Sequence, residues 1–287
     1  MNTMLEWQNI SRQGAHQGIA RLHGYERDVQ ITLDLANLVR ASHPSMCCRD
    51  IYYTMRDLMP RGRDWTERVL QEHGYRVRKR SRSFTQPGKE ICSNLIEGMH
   101  MTSPNQVWQT DITYVWSDNR WYFVSFVIDV YTRQILASHC SKDLSSGSQI
   151  QCLNKALATQ SAEDVTGLII HTDRGTQYTS EEYRKHLVDH NLQHSMAHYA
   201  WQNAYCERVN RTMKHNYLKH YPTKTYRSLC RSVKKAVRMH NKSKPHSGLP
   251  SRLSPDPFVK ERNQGKYADY GFRIWSKLTS TKSLCLN

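Results

Sequence analysis

Asp111, Asp173 and Glu207 are the residues of this chain whose types and settings are best suited to chemistry. Asp111 lies in the middle of Val107-Trp108-Gln109-Thr110-Asp111-Ile112-Thr113-Tyr114-Val115, an alternating run rich in β-branched and aromatic residues. An acid is disfavoured inside such a strand and costly to bury unpaired, so it calls for a partner or a metal. Asp173 closes Leu168-Ile169-Ile170-His171-Thr172-Asp173-Arg174-Gly175, a short apolar run that ends on an acid; read alone, Asp173-Arg174-Gly175 is equally an ordinary turn. Glu207 belongs to a helix expected to begin near Asn203 and to run through Asn210, Arg211, Lys214 and Leu218. There Glu207, Arg211 and Lys214 recur at i, i+4 and i+7, a pattern that also describes a plain surface ion-pair stripe. Carboxylates drawn together repel unless cations neutralise them, and a pair of Mg²⁺ ions roughly 4 Å apart is the usual arrangement where phosphodiesters are cut or joined.

The elements that must position these acids follow from periodicity. After the strand carrying Asp111, a turn at Ser117-Asp118-Asn119-Arg120 leads to two more strands, Trp121 to Val130 and Gln134 to His139, giving an antiparallel three-stranded meander. Ile150, Leu153 and Leu157 then mark a helix, the strand ending at Asp173 follows, and Thr179 or Ser180 caps a helix whose inner face holds Tyr183 and Leu187. Strands, helix, strand, helix is an α/β layer order. Upstream, residues 28–41 and 49–58 read as helices, and Asp64 with Glu67 forms a capping-box-like pair opening a third, with Arg68 exposed and Gly74 as terminator. These three short helices are similar to a helix-turn-helix module, and a small helical interaction bundle is the alternative. The expected organisation is an N-terminal helical region at 1–82, a polar linker at 83–104 broken by Pro87-Gly88 and Ser103-Pro104, a core at 105–260 and a tail at 261–287.

Charge names the class of partner. The chain has 287 residues with 41 Lys+Arg against 25 Asp+Glu, a formal net charge of +16, and 15 His besides. That excess is the footprint of a protein that neutralises phosphates, so DNA or RNA is the expected partner. The densest basic cluster is Arg76, Arg78, Lys79, Arg80 and Arg82, placed to lie along a phosphate backbone, with Arg211 and Lys214 as further phosphate contacts. No apolar run approaches the roughly 18 residues of a membrane span, and Met1–Trp7 lacks the basic start and apolar core of a signal peptide, so a cytoplasmic, nucleoid-associated protein is expected. The 8 cysteines include no C-x-x-C pair, which fits reduced thiols better than a disulfide frame or a zinc site.

Three motifs give the sequence a family likeness. Asn105-Gln106-Val107-Trp108-Gln109-Thr110-Asp111-Ile112-Thr113-Tyr114, His171-Thr172-Asp173-Arg174-Gly175-Thr176-Gln177-Tyr178 and Asn203-Ala204-Tyr205-Cys206-Glu207-Arg208 closely resemble the integrase-core motifs of OrfB-type transposases of the IS-three family of bacterial insertion sequences. Upstream, Arg49-Asp50-Ile51-Tyr52 and Gly74-Tyr75-Arg76-Val77-Arg78 look like that family's helix-turn-helix segment. Downstream, His240-Asn241, Lys244-Pro245-His246, Leu249 and Ser254-Pro255 resemble its closing motif, so the likeness covers most of residues 30–260. The resemblance implies an α/β, RNase H-like integrase core, a mixed sheet flanked by helices, preceded by the small all-α domain. It implies Asp111, Asp173 and Glu207 as a DDE triad binding two divalent ions, Mg²⁺ or Mn²⁺, and cleavage and strand transfer of DNA at the element's terminal repeats. Water, and later a DNA 3′-hydroxyl, would be the nucleophile; His171 and Asn203 are expected behind the acids to orient them, with a core histidine as the other reading of His171. A homo-oligomer on DNA and the product of an upstream overlapping frame are the implied partners. In this chain Asp173 and Glu207 stand closer than is usual in the family, the shortening falling in His198-Tyr199-Ala200-Trp201. A nuclease without strand transfer and a non-catalytic DNA-binding regulator are the rival functions.

Overall fold

The computed structural model describes residues 11–77 and 92–274. They fall into two compact units divided between Arg80 and Ser81.

The first unit is helical. Helix α1 (Arg12–Ser42) is capped by the Ser11 hydroxyl, which accepts from Gly14 N. It starts well before the expected residue 28, through a Gly- and His-containing stretch whose apolar residues Ile19, Leu22 and Tyr25 stay exposed. Its C-terminal half packs Ala36 and Val39 against Met46, Cys48 and Ile51 of α2 (Cys48–Thr54) and Leu70 of α3 (Arg63–Glu72). The helix expected over 49–58 ends at Thr54 and continues as a 3₁₀ turn at Arg56–Leu58. The capping box expected from Asp64 and Glu67 does not form. Gly62 is the N-cap, Asp64 sits in the first turn paired with Arg63 at 2.7 Å, and Glu67 is taken by Arg49 of α2 at 2.7 Å. Arg68 is exposed, as is Arg76 beyond the helix, while Arg78, Lys79, Arg80 and Arg82 lie outside the described residues.

The second unit is built on a mixed five-stranded sheet in the order β4-β3-β2-β5-β6, from β2 (Val107–Ser117), β3 (Arg120–Asp129), β4 (Ile135–Ser141), β5 (Ile169–Thr172) and β6 (Gln193–Met196). The expected meander is present: β2, β3 and β4 are antiparallel, and β5 and β6 add in parallel beyond β2. Helices α4 (Ser146–Leu157) and α6 (Glu181–Asp189), with the short α5 (Thr176–Thr179), cover one face, burying Trp108, Ile112, Val127, Leu153, Tyr183 and Leu187. The other face carries α7 (Ala204–Thr212), which continues as a π-helical turn over Met213–Leu218, and α8 (Tyr226–Ser243), around Tyr122, Phe126, Val209, Tyr217 and Val233. β2 lies between two helical layers, which is why its first half is buried on both sides rather than alternating. A third cluster, with Phe258 of α9 (Pro255–Asn263), closes the base of the sheet. There the two-residue strands β1 (His100–Met101) and β7 (Phe272–Arg273) pair antiparallel. Among the described residues no helix is long and apolar enough to cross a membrane.

Candidate active site

Register brings the first two acids level. β2 and β5 run parallel with Gln109 opposite His171, so Asp111 and Asp173, each two residues further on, project from neighbouring strands onto the same face. Asp173 stands just past the last residue of β5, where a rigid scaffold hands a side chain to solvent. Its Oδ1 accepts from Gly175 N at 2.9 Å, tying the carboxylate into the turn. Gly175 has φ −61°, a conformation open to any residue, and a Cβ there would overlap the Gln177 amide and approach Asp173 Oδ1 to 3.0 Å. Glycine thus leaves the room that the Gln177 amide and the Asp173 carboxylate occupy. Arg174 then reaches back to the carbonyls of Ala197 (3.2 Å) and His198 (2.9 Å), clamping the segment that leads to α7.

Glu207 is brought to the pair by α7, and α7 is fastened to β2 by two amides. Gln109, fully buried, accepts from Cys206 N at 3.2 Å and donates to Gln202 O at 3.2 Å, fixing both sides of the helix start. Asn203, the N-cap residue, donates to Thr110 O at 3.4 Å. About two turns on, Asn210 donates to Asp111 Oδ2 at 2.8 Å, while Asp111 Oδ1 accepts from Ile112 N at 2.8 Å. The Oδ1 atoms of Asn210 and Asn203 are buried without a hydrogen-bond partner. Gln109, Arg174 and Asn210 are the members of this arrangement that the sequence reading missed. Spacing alone put Gln109 on the strand face of Asp111 and Asn210 one helical turn after Glu207, but nothing local marked either as inward-facing.

The electrostatics are those of crowded acids. Burial first, and then the charges of Asp173 and Glu207, push Asp111 up to about 8 despite its two hydrogen bonds. Burial also raises Asp173, and it raises Glu207, where the charge of Asp173 adds and that of Arg211 opposes. Arg211 is exposed beside Glu207. Lys214 does not continue the stripe of a regular helix. The π-helical turn carries it half-buried toward Asp111, whose charge works against the burial that lowers its pKa. His171 is fully buried and burial holds it down to about 3; its Nδ1 bonds Ser195 Oγ at 2.9 Å, so it joins β5 to β6 behind the acids as a neutral ring.

Among the described residues no three His, Cys, Asp or Glu side chains are gathered so as to hold one ion as they stand. The donor set nonetheless suits a hard cation: three carboxylates, with the charge of Asp173 raising the proton affinity of both Asp111 and Glu207, beside an unpartnered amide oxygen on Asn210. Such a group is stabilised by whatever positive charge enters it.

The comparisons with known proteins agree on the core. Residues 101–199 match one family described as an integrase core domain and residues 189–255 match another of the same description. Transposase InsF for insertion sequence IS3A of Escherichia coli (strain K12) is 34% identical over 134 residues, 45% of this chain and 46% of that protein. A putative transposase for insertion sequence element IS986/IS6110 of Mycobacterium tuberculosis is 26% identical over 214 residues, 71% of this chain and 76% of that protein. The catalytic core domain of HTLV-2 integrase, solved in complex with magnesium, is 20% identical, covers 57% of this chain and 98% of its own, and superposes with a TM-score of 0.42. The chain spans about half the length of the InsF relatives it matches. With two integrase-core families matched together from residue 101 to residue 255, the chain carries an integrase core domain, and it is similar to insertion-sequence transposases, InsF of the IS3 elements among them.

Proposed function

We infer that this protein cuts and joins DNA at the ends of an insertion sequence, by polynucleotidyl transfer at Asp111, Asp173 and Glu207. The observation that carries the reading is the convergence of these acids from β2, the end of β5 and α7, with dedicated amides fastening the three elements together. A fold does not need Gln109 and Asn210 spent in this way unless the separation of the acids matters.

Asp111, Asp173 and Glu207 are the residues that would hold divalent metal, Mg²⁺ or Mn²⁺, two ions in all. Bound there, the metal would supply Lewis-acid chemistry, sharpening a water or a 3′-hydroxyl and neutralising the departing oxygen of the phosphodiester. The chain's own residues do the positioning. Asn210 fixes the rotamer of Asp111, Gly175 N fixes that of Asp173, and Gln109 with Asn203 sets the height of Glu207 above the sheet. Lys214, held beside Asp111, is placed to take a phosphate oxygen next to the scissile bond, and exposed Arg211 to take one further along the strand. His171 acts only as a neutral strut. The helical unit, read as a helix-turn-helix module, with Arg76 and the basic residues 78–82 would hold the DNA outside the reacting bond. Residues 1–82 are assigned as DNA-binding region and 105–260 as catalytic core; within the expected linker at 83–104 and tail at 261–287, His100–Met101 and Phe272–Arg273 pair with each other against that core.

Purified protein with Mg²⁺ or Mn²⁺ and a duplex carrying the element's terminal repeats is expected to give nicked and joined products, and Asp173→Asn to give neither. Equal cleavage by Asp173→Asn would overturn the triad. Cleavage without joined products would assign a nuclease instead.

A further inference from the structure

The tip of the β2–β3 hairpin carries large aromatic rings that the core does not use. Trp116 faces Trp121 and Tyr114 faces Phe123 across the ladder, so the four side chains share one face of the sheet. They pack edge to face, Trp116 on Trp121 at 5.1 Å, Tyr114 on Phe123 at 5.2 Å and Tyr114 on Trp121 at 6.5 Å. Yet Trp116 is 55% exposed, Trp121 52% and Tyr114 44%. The reason is where α4 begins. Its first turn is anchored at Ser141, through Ser148 Oγ at 2.8 Å, and Ser141 is the β4 partner of Phe123. The helix therefore covers this face up to Phe123 and leaves the last rungs bare, whereas on the opposite face α8 covers the tip through Tyr226 on Tyr122.

The row is rigid and leads out of the site. Asp118 and Asn119 have φ of 50° and 54°, the left-handed pair of a tight two-residue hairpin, so the rings are held before anything binds. Tyr114 lies near the acids: burial first, and then the charges of Asp173 and Asp111, hold its hydroxyl proton on. Tyr114 follows Asp111 by three residues on β2 with its side chain on the opposite face, so the row runs from beside the acids, along the α4 face, to the hairpin tip. Arg120 at the tip turns to the other face, over the Tyr122 ring at 5.3 Å, and bonds the carbonyl of Lys142 at 3.4 Å, which leaves the outer faces of the row clear.

We propose that Tyr114, Trp116 and Trp121 form a stacking platform for the unpaired strand of a DNA end as it leaves the acids, an assignment that rests on the polynucleotidyl-transfer reading of the site. Exposed aromatic faces on a strongly basic chain, here with a formal net charge of +16, are a recurring means of holding single strands without sequence preference. Area separates this occupant from a second copy of the chain. With about half of each ring free, the three side chains offer on the order of 300 Å², well short of the roughly 800 Å² per partner of a stable interface and suited to two or three bases.

The test reads binding without turnover. A fluorescein-labelled oligodeoxythymidine is titrated into the full chain in EDTA, against a blunt duplex of the same length. Trp121→Ala and Trp116→Ala are each expected to weaken single-strand binding roughly 5- to 150-fold, the range set by loss of one stacked base, with Trp121→Phe close to the parent and duplex binding unchanged. Ultraviolet cross-linking of a 5-iodouracil strand to the parent is expected to label the peptide holding Trp116 and Trp121, a readout that needs no variant to fold. Undiminished single-strand binding by both alanine variants, or cross-links confined to other peptides, overturns the platform. Altered sedimentation of the variants with unaltered affinity also overturns it and assigns a contact between copies. Cleavage by the parent, assayed separately with Mg²⁺, tests the underlying reading: a parent that binds single strands through these rings but cuts no DNA refutes that reading alone.

Discussion

Replacing Gln109 by leucine keeps the volume of the side chain and removes both amide ends. In the parent those ends meet Cys206 N and Gln202 O, each at 3.2 Å, in a setting where Gln109 is fully buried. A buried backbone group left without its partner costs about 1–3 kcal/mol, so two such groups give a loss of about 2–4 kcal/mol once partial relaxation is allowed. For a unit of this size that is a fall in Tm of about 5–15 °C. The more telling effect is on rate. Cys206 adjoins Glu207, and releasing the start of α7 lets Glu207 drift relative to Asp111 and Asp173; a misplacement of about 1 Å costs on the order of a hundredfold. Single-turnover cleavage of a pre-nicked terminal repeat in Mn²⁺, run well below the variant's melting temperature, measures the step directly. Gln109→Leu is expected to be folded, less stable and roughly a hundredfold slower, while DNA affinity in EDTA stays at the parental value. A variant that melts earlier but cleaves at the parental rate would reduce Gln109 to a structural residue and refute the argument that the strand-to-helix staple sets the spacing of the acids.

Other outcomes follow from neighbouring contacts. Asn210→Ala removes the 2.8 Å bond to Asp111 and is expected to slow cleavage about 10- to 100-fold, an effect in the range seen for groups that orient metal ligands; Asn210→Asp, which sets another acid against Asp111, should be slower still, and the reverse order in a cleavage assay would refute the orienting role. Gly175→Ala is expected to impair cleavage even when Gln177→Ala clears the first obstacle, because the added methyl still crowds Asp173 Oδ1 at 3.0 Å; full recovery in the double variant would show that only Gln177 was in the way. Acid should destabilise the core through its buried neutral histidines. Burial lowers His194 to about 4, with Arg184 assisting, and lowers His246 well below its ordinary value, with His240, Lys244, Arg133 and Arg208 adding to the effect. Both folded values lie below the unfolded one, so their stability is complete above about pH 6.5 and is lost as pH falls, at up to ~1.4 kcal/mol per unit for each ring. Asp111, raised to about 8, acts in the opposite sense over the same range, so the test is a comparison: between about pH 7.5 and about pH 5 the Tm of His246→Gln is expected to fall less, or rise more, than that of the parent, and identical pH dependence in a folded variant would contradict this.

What the sequence made legible was whatever repeats with a period or breaks one. The meander, β5 and the helix of Glu207 with its start near Asn203 could be read because alternation and 3.6-residue spacing are local, and Asp111 stood out because an acid in the middle of a β-branched run contradicts its surroundings. The capping box of Asp64 and Glu67 failed for the complementary reason: Arg49, far along the chain, offered Glu67 a better partner than its own helix start. The same logic hid Gln109. A glutamine in a strand looks like an outward polar position, and only the parallel pairing of β2 with β5 and the docking of α7 turn it inward. Lys214 was recognised as a cation on the correct helix, but its direction depends on the π-helical turn at Met213–Leu218, which no regular spacing encodes. Catalytic acids can thus be named from local anomaly, whereas the groups that fix their separation are ordinary amides whose role exists only in the assembled sheet. This is why the Gln109 and Asn210 variants test the proposed function more sharply than removal of an acid does. Loss of Asp173 would silence many kinds of site, but sensitivity to the height of α7 above β2 is expected only where the spacing of three carboxylates sets the rate.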